Sequence, residues 1–267
     1  MVLKIPFKLK IGILLAIVIS ASVGGYVVYH DTAYAPKLAE GAGPWNLYIS
    51  MPSLYPVLVT RAYGVSEAGD WTSPTIGGSQ SFSLSSLKHV RKNFPEYDGY
   101  GLPISRTVNT TLTQMSGKQS IPDSIYLYWV SLANQRFFVT QFNITPEIVA
   151  KMQQVHRWGE RDCSLNHFVF GLLPNGRAKV WLTGCRVPEY IGEIPPQMEA
   201  RADSSGFGKA HYKKLYFQDI QERAEALGVN LFPVPWEKLE RIYFYQKDGK
   251  GALRKARKLK QQQQAGK

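Results

Sequence analysis

The chain has only two cysteines and five histidines in 267 residues. With 20 carboxylates these could still build a site, but no short paired step such as C-x₂-C occurs. A G-x-S-x-G nucleophile elbow is missing; the nearest approach, Gly77-Gly78-Ser79-Gln80-Ser81, lacks the second glycine. Neither the phosphate-cradling G-x-x-x-x-G-K-[ST] nor the dinucleotide fingerprint occurs. Asp162, Ser164 and His167 are close in sequence, but a catalytic triad is defined in space, not by proximity along the chain. The expectation is a protein without catalysis, cofactor or small-molecule substrate.

Acid is scarce at both ends. Residues 1–29 hold Lys4, Lys8 and Lys10 and no carboxylate, and residues 247–267 hold eight basic residues against Asp248 alone. The net charge of +12 is therefore concentrated at the termini, and in residues 30–246 there are 21 basic and 19 acidic side chains. A nearly neutral body argues against nucleic acid as a partner. Charge is absent altogether from residues 11–29, IGILLAIVISASVGGYVVY. As a helix this run spans about 28 Å, close to the thickness of a bilayer core. The preceding lysines keep the N-terminus in the cytoplasm and send the body to the other side. A cleaved signal sequence is the rival reading, because Ala33-Tyr34-Ala35 has a small-x-small pattern. The run is longer than the usual ~7–15-residue signal core, and Pro36 follows the cleavage-like site, so the uncleaved anchor is favoured. Residues 1–10 then read as a cytoplasmic stub, 11–29 as the anchor, 30–44 as a linker, 45–246 as one α+β domain and 247–267 as a basic tail. The tail suits either attraction to anionic headgroups or plain solvation.

Within the body, apolar alternation predicts strands at residues 45–51, 57–63, 124–130 and 136–142. Residues 67–81, rich in Gly, Ser and Pro, read as loop; of residues 83–115 only 107–113 looks extended. Thr145-Pro146-Glu147 opens a helix with a hydroxyl, a proline and a carboxylate in the favoured places, and Ile148, Met152 and Val155 carry its apolar stripe to a close at Gly159. Residues 166–173 and 177–184 flank Asn175-Gly176 as a hairpin. A second helix covers about 211–227, with Tyr212, Tyr216 and Ile220 on one stripe and Gly228 as its stop. The sum is a mostly antiparallel β-sheet body with two or three packed helices.

His156, Cys163, His167 and Cys185 form the one cluster that resembles metal ligands, at a spacing no standard zinc pattern has. Hairpin pairing supplies another reading. Partners across a turn centred near 175 put Cys163 and Cys185 almost opposite each other, and in an oxidising compartment such a pair forms a disulfide. The disulfide is favoured, with zinc second. Strand aromatics such as Tyr126, Tyr128, Phe138 and Phe170, or whichever of each alternating pair faces inward, are read as core. Trp71 differs: it lies in a polar loop beside Glu67 and Asp70, and exposed tryptophans are enriched at interfaces. Glu67, Asp70 and Trp71 are accordingly a candidate partner-binding rim.

The order of these segments resembles a bacterial family called domain of unknown function 2931. The resemblance rests on residues 45–51 followed by Tyr55-Pro56-Val57-Leu58-Val59-Thr60. Next come Ile121-Pro122-Asp123-Ser124, Tyr128-Trp129-Val130-Ser131-Leu132 and Arg136-Phe137-Phe138, and then the hairpin Phe170-Gly171-Leu172-Leu173-Pro174-Asn175-Gly176-Arg177-Ala178-Lys179-Val180-Trp181-Leu182. It covers about residues 45–185. The resemblance implies an exported protein of a Gram-negative bacterium, usually a lipoprotein, with no established catalytic residues. This chain lacks the lipidation cysteine, so its anchor would be residues 11–29 in the inner membrane, with the body in the periplasm. Some members resemble immunity proteins of type VI secretion lipase effectors. That implies a protein partner, a cognate toxin; the alternative is an envelope accessory or scaffold protein.

Overall fold

The computed structural model describes residues 45–76, 84–114, 120–158, 161–185 and 188–244. The expected anchor at 11–29, the linker to residue 44 and the tail from 247 lie outside these described residues. Among the described residues no helix is long and apolar enough to cross a membrane. The strands are β1 (Asn46–Ser50), β2 (Val57–Ser66), β3 (Trp71–Ile76), β4 (Leu102–Ile104), β5 (Thr110–Gln114), β6 (Ser124–Ser131) and β7 (Arg136–Asn143), then β8 (Val155–Trp158), β9 (Arg161–Ser164), β10 (His167–Leu172), β11 (Ala178–Thr183), β12 (Glu189–Ile194), β13 (Met198–Ala200) and β14 (Ile242–Phe244). The helices are α1 (Leu84–Asn93), α2 (Pro146–Gln153), α3 (Lys209–Tyr212), a π-turn (Lys213–Phe217), α4 (Gln218–Ala226) and α5 (Trp236–Leu239). The protein is thus α+β, dominated by a large, mainly antiparallel sheet.

Ten strands form that sheet in the order β12-β11-β10-β1-β5-β3-β2-β6-β7-β13. All neighbours are antiparallel except β1 with β10. The sheet curls back on itself. β5 is the corner: Thr110–Leu112 face β1, while Thr113 and Gln114 face β3. β12 and β13 stand at opposite ends of the order yet are joined by residues 195–197 alone, a reach of about 15 Å. The Phe142 ring on β7 lies 5.9 Å from Phe168 and 5.6 Å from Phe170 on β10, although five strands separate them in the sheet. Side chains of alternate parity fill the inside of the curl, among them Trp45, Leu47, Ile49, Ile125, Leu127, Trp129, Phe138, Phe168, Phe170, Val180 and Leu182. A second apolar cluster lies outside it. There Tyr48, Val130, Phe137, Val169 and Trp181, on the opposite parity, meet Tyr212, Ile220, Ala224, Leu231 and Leu239 from the C-terminal helices and loops.

Several sequence expectations hold in detail. β10 and β11 pair His167 with Thr183 through Leu172 with Ala178, and Gly176 turns the chain at φ 94. A Cβ at Gly176 would lie 2.6 Å from the Phe138 ring, so the turn needs glycine for space as well as for conformation. The helix expected at 211–227 begins at Lys209 and includes the π-turn, and it ends before Gly228 at φ 65. Others are corrected. The helix opened by Thr145 stops at Gln153 and the Thr145 side chain makes no capping bond; Val155, 66% exposed, begins the β8–β9 hairpin instead. The presumed loop 67–81 contains strand β3. Proline is tolerated in it because β5 joins only at Thr75 and Ile76, which leaves Pro74 with an open side. Residues 84–93, unassigned from sequence, are a helix.

Candidate functional site

Among the described residues the outer side of β2, β6 and β7 is covered at one end only. Leu58, Val130 and Phe137 lie under the C-terminal helices, with Phe137 edge-on to Tyr212 at 5.3 Å. Past this cover a bulge between Val59 and Arg61 resets the alternation, so that Arg61 and Tyr63 follow Leu58 on the outward face. Across the register Arg61 faces Tyr128, Tyr63 faces Tyr126 and also Pro74, Val65 faces Thr72, and Tyr126 faces Gln141. Each of these side chains is partly or fully exposed. The result is an uncovered sheet surface built on tyrosine, with Arg61 its one charged member.

The tyrosines form a fixed stack. Tyr63 lies 5.3 Å from Tyr126 at an interplanar angle of 16° and 6.1 Å from Tyr128 at 24°, and the Arg61 guanidinium sits 5.3 Å from the Tyr63 ring centre. The Tyr63 and Tyr128 hydroxyls are 3.4 Å apart. Partial burial, then the hydrogen bond to Tyr128, pushes the Tyr63 hydroxyl up to about 12. Below it Thr60 donates to the Tyr128 carbonyl at 3.2 Å, and Ser204 donates to Thr60 at 3.0 Å, tying the platform to the loop before α3. Aromatic rings with few rotatable bonds and a stacked arginine are the side chains most enriched at protein interface centres.

The candidate rim Glu67, Asp70 and Trp71 borders this face, at the β2–β3 hairpin tip. Glu67 and Asp70 are exposed, as expected for a rim. Trp71 is not: it opens β3 and is only 7% exposed. The expectation of an exposed loop tryptophan is therefore corrected; pairing with Ser66 turns its ring inward beneath Gly69, where an added Cβ would lie 2.5 Å from the indole nitrogen. Asp123 holds the tip by accepting from the Ser66 hydroxyl at 2.9 Å and the Ala68 N–H at 3.4 Å. The sequence reading left open which of each alternating aromatic pair faces inward; here Trp129 is buried while Tyr126 and Tyr128 face outward. The signal was present in SIYLYWVS, where Ile125, Leu127 and Trp129 share the buried face and the two hydroxyl-bearing rings share the other.

Cys163 and Cys185 are joined in a disulfide, with Cα atoms 5.4 Å apart. Cys163 lies not on an extension of β10 but on β9, opposite His156 of β8, so the bond fastens this separate hairpin to the end of β11. The other members of the presumed ligand cluster do not converge. His167, 8% exposed, accepts at Nδ1 from the Asn46 side-chain amide at 3.2 Å and stacks edge-on to Tyr48 at 5.6 Å. Burial, reinforced by the Arg106 charge, lowers it to about 4, so it is a neutral core group. Among the described residues no three His, Cys, Asp or Glu side chains gather as they would around a metal.

A crevice between the 53–56 loop, Leu87 and α4 is lined by apolar groups and has room for about one water, roughly 20 Å³. The described residues thus form a β-rich body that presents the stacked Tyr63, Tyr126 and Tyr128 on one face. The chain belongs to the family described as Protein of unknown function (DUF2931), matched over residues 32–237. The match reaches well past residue 185, where the motifs read from sequence end, and includes α3, α4 and most of the cover on the sheet. No curated protein and no solved structure matches the chain.

Proposed function

We propose that this protein acts by binding another protein, and that the partner is a secreted toxin, with a type VI lipase effector as the specific candidate. The observation that carries the reading is the tyrosine–arginine face of β2, β6 and β7, left open among the described residues, in a sheet whose strands β1, β10 and β11 are buried at nearly every position. Blocking a toxin requires a preformed patch of roughly 800 Å² with a few well-packed anchors. The stack of Tyr63, Tyr126 and Tyr128 supplies anchors already ordered before binding, which lowers the entropic cost, and the tip with Glu67 and Asp70 supplies a polar rim. Anchoring by residues 11–29 would hold the inhibitor at the periplasmic surface of the inner membrane, where a lipase must arrive, and so raise its effective concentration.

A recipient strain lacking both this gene and the adjacent toxin gene tests the reading in competition with sister cells. Toxin-positive attackers should kill it, toxin-null attackers should not, and supplying the chain in trans should restore survival. Equal survival against both attackers would contradict immunity and leave the envelope scaffold reading in its place.

A further inference from the structure

Toward the start of β2 the tyrosine face ends against a ledge formed by residues 201–217. Ser204 donates to Thr60 at 3.0 Å, one residue before Arg61, and Tyr212 on the underside of the ledge packs on Phe137 at 5.3 Å. Asp203 shapes the approach to α3: its Oδ1 accepts from the Ser205 and Phe207 N–H groups at 2.8 Å, and its Oδ2 accepts from the Tyr212 hydroxyl. Phe207 then stacks on His211 at 4.3 Å and 18°, and Leu215 follows one turn further along. Phe207 and Leu215 are 49% and 50% exposed. Arg201, Lys209, Lys213 and Lys214 are exposed beside them, and none of the four makes an ion pair among the described residues. The acids closest in sequence are already engaged: Glu199 is bonded to Arg136 at 2.7 Å, Asp219 is paired with Arg223, and Asp203 is held as described. Lys213–Phe217 is also a π-turn, a rare geometry that is frequent at functional positions.

We infer that this ledge is the second half of the protein-binding surface and receives an acidic region of the partner, with Arg201, Lys209, Lys213 and Lys214 meeting carboxylates while Phe207 and Leu215 pack on apolar groups. The inference rests on the protein-binding reading given above and adds the chemistry of the partner. The four cations, next to Arg61, set a positive potential at this end of the face. Complementary charge across an interface raises the association rate and fixes the orientation of docking. Glu67 and Asp70 lie at the other end of β2, about 20 Å away along the strand. A leaflet or a polynucleotide, negative throughout, would meet those carboxylates as well. A folded protein can present acid to the ledge and a different surface to the tip, and the buried centre of a protein interface takes up apolar groups such as Phe207 and Leu215.

The test mixes the full chain, held in nanodiscs of neutral phosphatidylcholine, with the purified product of the adjacent toxin gene. A carbodiimide, which joins an amine directly to a carboxylate, should link Lys209, Lys213 or Lys214 to aspartate or glutamate of the toxin, read by mass spectrometry. The association rate should fall at least about tenfold when NaCl is raised from about 50 to about 500 mM. At low salt it should fall by a similar factor in the triple variant Lys209→Glu, Lys213→Glu and Lys214→Glu. The control Lys88→Glu with Lys92→Glu, which reverses charge on α1 instead, should change it far less. Binding that gives no links at the ledge and is insensitive to the triple variant would overturn this inference and leave the toxin reading standing. Absence of any binding by the unaltered chain would overturn both. Duplex DNA bound through the ledge, and lost in the triple variant while toxin binding persists, would overturn the inference by making the ledge a polynucleotide site.

Discussion

Strands β10 and β6 stand in the two halves of the curled sheet and solve different problems. β10 reads HFVFGL and is buried at every position; β6 reads SIYLYWVS and is interrupted by half-exposed Tyr126 and Tyr128. β10 has the core of the curl on one side and the cover from the C-terminal segment on the other, so each residue is apolar or, like His167, neutral and hydrogen-bonded. β6 shares the same inner core through Ile125, Leu127 and Trp129, but its outer side runs out from under the helices. Substitutions in β10 should therefore cost folding, and under the proposed function substitutions on the outer side of β6 should cost binding.

The largest expected effect breaks the buried half. Phe170→Ala removes a ring packed against Phe142 and should destabilise by about 3–5 kcal/mol, read by urea denaturation. Cys163→Ser with Cys185→Ser comes next. Opening a link that spans 22 residues should cost about 3 kcal/mol in the chain-entropy account, and hydrogen exchange should rise in β8 and β9 while the tyrosine face stays protected.

Lowering the pH gives the third test. His167 is neutral in both folded and unfolded chains above its ordinary 6.5, but the folded state accepts a proton only near 4. Between those values the unfolded chain binds the proton that the folded chain refuses, so stability should fall as pH drops from about 6.5 to 4, by at most about 3 kcal/mol. His167→Gln should flatten that part of the profile.

The smallest effect on stability belongs to the open face. Tyr63→Ala with Tyr126→Ala should cost about 1 kcal/mol or less of folding free energy, as partly exposed cross-strand pairs do, while weakening partner binding at least tenfold.

The legible parts of the fold were those written in short-range chemistry. Asn175-Gly176 marked a turn and the turn gave the β10–β11 register; the Cys163–Cys185 bond was expected from that register, although Cys163 reaches Cys185 from the separate strand β9. The stripe of Tyr212, Tyr216 and Ile220 ending at Gly228 marked the C-terminal helix. What stayed hidden depended on contacts distant in sequence. The curl of the sheet arises where Phe142 meets Phe168 and Phe170, and no local pattern encodes it. β3 was masked by Pro74 and α1 by the breakers Pro95 and Gly99 just beyond it. Of the candidate site, the exposed positions Glu67 and Asp70 were named from sequence, while Trp71 was expected exposed and lies buried at the start of β3. Which side of the alternating Tyr126–Trp129 run faces inward was left open, because alternation alone does not say which face is covered.

The most direct measurement repeats the sister-cell competition with recipients carrying Tyr63→Ala and Tyr126→Ala, and in parallel Arg61→Ala, at protein levels matched to the unaltered chain. The account expects the variants to fold and accumulate normally while the double-tyrosine recipient loses protection against toxin-positive attackers. Full protection by that variant at matched levels would contradict the claim that the open tyrosine face is where this protein binds its partner.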